Sequence, residues 1–85
     1  MLPFTVHPVG DCALLAGFPQ RIAPEIGAAV AALNSRVLAA KLPGVTETVP
    51  AFASLLVVYD PLMTDYDTLA TALQGLRDAD GADTA

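Results

Sequence analysis

The chain has 85 residues, 54% of them hydrophobic and 15% charged, with a formal net charge of −5. That length holds one domain with a limited core, so part of the apolar surplus is expected to be closed off by another chain or domain. Four Lys and Arg residues, placed singly, form no basic patch, which argues against nucleic acid and against an anionic membrane surface as partners. Cys12 is the one cysteine and has no internal mate. The opening MLPFTVHPVGD lacks the basic and apolar regions of a signal peptide, so a cytoplasmic setting is expected. No apolar run approaches the ~20 residues that span a bilayer.

Taken in order, Phe4-Thr5-Val6-His7 alternates and predicts a first strand. Pro8-Val9-Gly10-Asp11 carries turn chemistry, and Cys12 to Phe18 predicts a second, more uniformly apolar strand. The first helix is expected from Pro24, which suits a first helical position, with Glu25 at the positive end and Ala23 as a poor cap. Ile22, Ile26, Val30, Leu33 and Val37 step along one helical face. Arg36 and Lys41 fall late in that helix, and Pro43-Gly44 stops it. Val45 to Val49 alternates as a third strand, with Val45, Glu47 and Val49 expected on one face. Ser54 to Tyr59 is a nearly continuous apolar run, as in a central strand, and Asp60-Pro61 ends it.

The second helix is expected to begin at Thr64 as N-cap, with Asp67 in the capping-box place. Its apolar face is Tyr66, Leu69, Ala70, Leu73 and Leu76. The predicted domain covers residues 1–77, and residues 78–85 read as a flexible acidic tail or linker. The fold class is therefore α+β, in the order β-β-α-β-β-α. A four-stranded antiparallel sheet carries both helices on one face and leaves the other face uncovered.

The residues with chemical potential are few. His7, Asp11 and Asp60 read better as a polar strand residue and two turn residues than as acid–base groups. Cys12 reads as a small buried hydrophobe. Asp60, Asp65 and Asp67 match no metal-binding loop. No phosphate-binding Gly loop, CxxC or HExxH occurs. The expectation is therefore no catalytic, cofactor-binding or metal-binding residue in this domain. Phe52 and Tyr59 are the candidate partner-interface anchors, with core packing as the rival reading of each.

With Gly10-Asp11 and the run PGV-x-E-x-VPA-xx-SLLV-x-YDP (Pro43 to Pro61) in place, the chain resembles one family from about Phe4 to Leu76. It is similar to the N-terminal domain of the family that includes the B component of 5-oxoprolinase, the kinase inhibitor KipI and allophanate hydrolase subunit 1 proteins. The resemblance implies a two-layer α+β unit. It implies a role in a three-component 5-oxoprolinase complex, in which this B-type protein joins the A and C components to open 5-oxoproline to glutamate with ATP. The ATP is then used by the complex and not bound by this domain. The alternative it implies is docking to a histidine kinase; a homodimer is a further expected partner. Family members continue into a cyclophilin-like barrel, which lies outside these 85 residues, and no catalytic residue carries over to any position here. Pterin-dehydratase-type domains share a similar layered fold, but their chemistry uses several histidines and this chain has one.

Overall fold

The computed structural model describes residues 2–21 and 23–83, with the backbone alone for residues 78–83. Its elements follow the predicted order: β1 (Thr5–Val9), β2 (Ala13–Gly17), α1 (Pro24–Ala40), β3 (Val45–Pro50), β4 (Ser54–Tyr59) and α2 (Tyr66–Asp83). The strands form one antiparallel sheet in the order β1-β2-β4-β3. The two apolar strands, β2 and β4, are thus central, and the more polar β1 and β3 are its edges.

One core fills the space between sheet and helices. Leu14 and Ala16 of β2 and Leu55, Val57 and Tyr59 of β4 meet Ile26, Ala29, Val30, Leu33 and Val37 of α1 and Leu69 and Leu73 of α2. All are at most 7% exposed, so the alternate residues of each central strand face the helical layer. The stripe predicted for α1 is its buried face from Ile26 onward; Ile22, its first member, lies outside the described residues. Phe4 and Phe18 close the core at one end, their rings 5.3 Å apart and tilted by 53°, an arrangement that suits two aromatic quadrupoles.

Several local expectations are corrected. Pro8 and Val9 belong to β1, and the reversal is formed by Gly10, Asp11 and Cys12, with Gly10 at φ 63°. Cys12 therefore sits in the turn and is exposed, not buried in a strand. Val45 and Val49 do not share a face. Val45 pairs with Tyr59 but Glu47 pairs with Val58, so a bulge at Thr46 inserts one residue and flips the parity. Val45 packs against the core, while Glu47 and Val49 are exposed on the sheet's other side. The Thr46 hydroxyl donates to the Val58 carbonyl at 3.2 Å across this irregularity.

Helix ends show two further corrections. Ala23 makes no side-chain cap bond, as its methyl requires, and Pro24 opens α1. Lys41 is not in the last turn; it is the C-cap, in left-handed backbone at φ 49°. For α2 the cap is Asp65 and not Thr64. The Thr68 N–H donates to Asp65 Oδ1 at 2.8 Å, and the Thr68 N–H and hydroxyl together hold the Asp65 carboxyl below its ordinary range. The α2 backbone runs on to Asp83, through residues 78–83 that the sequence assigns to an acidic tail.

Gly44 marks the tightest backbone approach. It has φ 87°, and a Cβ placed there would lie 2.7 Å from Thr64 Cγ2 and 3.1 Å from Thr64 Cβ. The Asp60 N–H donates to the Gly44 carbonyl at 2.7 Å. This is why a Gly follows Pro43: the α1–β3 and β4–α2 connections cross here without room for a side chain.

Candidate functional site

The pairing register places one set of side chains on the helix-free face. Across the sheet, His7, Leu15, Leu56 and Val49 form one row, and Val9, Ala13, Val58 and Glu47 form the next. Leu15, Leu56 and Val58 are only half-buried, and Val9 and Val49 are 44% and 41% exposed. The result is an apolar band with His7 at one edge and Glu47 at the other. No helix covers it. The parity of β4 explains the band: a run that is apolar at every position must present Leu56 and Val58 outward when Leu55 and Val57 point inward.

The two sequence-predicted anchors part company. Phe52 lies in the β3–β4 loop and is 59% exposed, whereas Tyr59 is 5% exposed and belongs to the core. Tyr59 follows Leu55 and Val57 at intervals of two, and that spacing alone signals an inward position. Phe52 is near the Phe18 end of the sheet, since the Phe18 N–H donates to the adjacent Ala53 carbonyl at 2.8 Å. An open groove of about 390 Å³ lies at the same end, lined by Pro3, Phe4, Thr5, Gly17, Phe18, Pro19 and Gln20. It contains no charged side chain. Leu62 and Met63, both exposed, project from the β4–α2 connection.

The groups with chemical potential are held in structural roles. The His7 Nε2 and Thr5 Oγ1 atoms are 3.0 Å apart on exposed β1. Asp60 Oδ1 accepts from the Leu62 N–H at 2.9 Å, the self-bonded turn expected of Asp before Pro. Asp65 caps α2. Arg21 and Glu25 pair at 3.4 Å on the surface at the start of α1. Among the described residues no three His, Cys, Asp or Glu side chains group as a metal site, and no helix is long and apolar enough to cross a membrane.

Comparison with known proteins gives this face a context. The chain is similar to the conserved uncharacterized protein PH0987 from Pyrococcus horikoshii, with a TM-score of 0.84 and 32% identity over 93% of this chain. It is also similar to the N-terminal domain of the histidine kinase inhibitor KipI from Bacillus subtilis, with a TM-score of 0.59 and 30% identity over 69% of this chain. The chain spans 37% of the first protein and 58% of the second. No curated protein matches it. Residues 4–85 match the family described as "Carboxyltransferase domain, subdomain C and D". A match over nearly the whole length, spanning the residues that build the α1–β3 crossing and the central strand β4, places the chain in that carboxyltransferase subdomain C and D family, the region represented by KipI and allophanate hydrolase subunit 1 proteins.

Proposed function

We propose that this chain is the N-terminal assembly domain of a protein like the B component of 5-oxoprolinase. In this reading it contributes a docking face to a cytoplasmic complex that opens 5-oxoproline to glutamate with ATP, and it makes or breaks no bond itself. The observation that carries the reading is the apolar band of Val9, Leu15, Leu56, Val58 and Val49 on a sheet face without helices. Apolar surface of that kind is what a companion protein covers. The structural employment of Asp60 and Asp65 agrees with it, since each carboxylate is bonded to its own local backbone. ATP is used by the complex, and this domain holds none of it.

The test is reconstitution. Matching A and C components are combined with the B-type protein, with and without this domain, and ATP-dependent glutamate release is followed. Loss of activity on deletion is expected; full activity without the domain would reject the reading. The likeness to the KipI domain motivates a second reading, in which the same face docks on a histidine kinase. Binding to a kinase dimerisation domain, with slowed autophosphorylation, would favour that reading over the first.

A further inference from the structure

Hydrogen-bond direction along the strands shows how the sheet's free edges are finished. The Phe18 N–H bonds toward β4, at the Ala53 carbonyl. By alternation Leu14 and Ala16 also direct their backbone groups toward β4, and Ala13, Leu15 and Gly17 direct theirs toward β1. The β1 residues opposite Leu14, Ala16 and Phe18 are then the outward ones: Pro8, Val6 and, by continuation, Phe4. None of these three edge positions is open in the ordinary way. The Tyr66 hydroxyl of α2 donates to the Val6 carbonyl at 2.8 Å, and Gln74 Nε2 of α2 donates to the Phe4 carbonyl at 3.2 Å. Pro8 has no N–H to offer.

We propose that β1 is a guarded docking edge, which Tyr66 and Gln74 hold closed against the β1 strand of a second copy of this chain. Two features single out a second copy. The strand TVHPV has no Asp, Glu, Lys or Arg, so two copies meet along it without like-charge repulsion although each chain carries −5. Its outward positions are also self-complementary about Val6, so a two-fold axis there pairs each strand with its mate in antiparallel fashion. Edges of most sheets are protected by charge. Here the charge is missing, and side chains from a helix 60 and 70 residues away in sequence do the work. The other edge needs no such guard: β3 has the bulge at Thr46, the charged Glu47 and Pro50. This inference is independent of the docking face proposed above, because it concerns the edge and not the face.

The test compares the chain with a Tyr66→Phe/Gln74→Leu variant and with the same variant carrying Pro8→Thr. Sedimentation equilibrium reads self-association, and amide hydrogen exchange reads the Val6 N–H. The guards exclude two or more interchain backbone hydrogen bonds, so their removal is expected to tighten self-association by about tenfold or more. Val6 exchange is expected to slow with it. Unchanged association in folded variants would overturn the proposal, as would association that leaves the Val6 amide unprotected. Should the combined variants fail to fold, Tyr66→Phe alone, which keeps the ring and loses the hydroxyl, carries the same two readouts with the same outcomes.

Discussion

Replacing Gly44 by Ala perturbs the one place where two connections touch without a side chain between them. Two costs are separable. An L-residue at φ 87° gives up about 1–2 kcal/mol in left-handed backbone. The added methyl would sit 2.7 Å from Thr64 Cγ2, 3.1 Å from Thr64 Cβ and 3.3 Å from Met63 Cβ, and overpacking of this kind costs about 1–3 kcal/mol. Together they remove about 2–5 kcal/mol from a domain of this length whose whole stability is about 4–13 kcal/mol. Gly10 provides the control. It has φ 63° and nothing within 4 Å of the built Cβ, so Gly10→Ala is expected to lose only the backbone share, about 1–2 kcal/mol. Thr64→Ser removes the nearest atom, and in the Gly44→Ala background it is expected to return about 1 kcal/mol. Urea unfolding of the single and double variants measures all three. Equal losses at Gly10 and Gly44, or no coupling between positions 44 and 64, would refute the crowding argument.

Other predictions follow from the same structure. Leu14→Ala, at a fully buried position beneath the helical layer, is expected to cost about 2–5 kcal/mol by urea unfolding. Cys12 is exposed in a turn, so it is expected to react with a thiol reagent in the native chain at the rate of a free surface thiol; reaction only on unfolding would contradict its placement. Asp65→Ala is expected to lower the thermal midpoint at neutral pH. Because the Asp65 carboxyl is held below its unfolded value, its contribution is present above the ordinary carboxylate range and is lost as pH falls through the folded value. The gap between wild type and variant should therefore close below about pH 4. A constant gap from neutral to acid pH would argue against the capping role.

Much of this architecture is legible in the residues themselves. Proline and glycine punctuate the connections, the α1 stripe from Ile26 to Val37 has helical spacing, and the β4 run ends at Asp60-Pro61. What escapes a reading of the sequence depends on the partner strand or on distant residues. A single bulge at Thr46 leaves the alternation of Val45 to Val49 intact on paper, and only the register against β4 shows that Val45 and Val49 point opposite ways. Thr64 and Asp65 are adjacent residues with similar capping chemistry, and the choice falls to whichever side chain meets the Thr68 N–H. Tyr59 is given away by its spacing from Leu55 and Val57, but only if the strand is read by parity and not as one apolar block. The helix-free face follows from placing two helices on one layer. Its composition follows from the same parity, since β4 is apolar on both sides. The capping of Val6 and Phe4 by Tyr66 and Gln74 joins residues from distant parts of the chain, and no local pattern announces it.

The docking face is tested most directly by placing one charge on it within the assembled enzyme. Leu56→Glu in the full B-type protein puts a carboxylate at the middle of the apolar band, and Leu62→Glu, at a position 94% exposed in the β4–α2 connection, is its control. Each is mixed with the A and C components, and co-elution and ATP-dependent glutamate release are measured alongside a melting curve. The account predicts that Leu56→Glu folds, fails to co-elute and loses glutamate release, while Leu62→Glu behaves as wild type. A folded Leu56→Glu protein that assembles and turns over like wild type would contradict it.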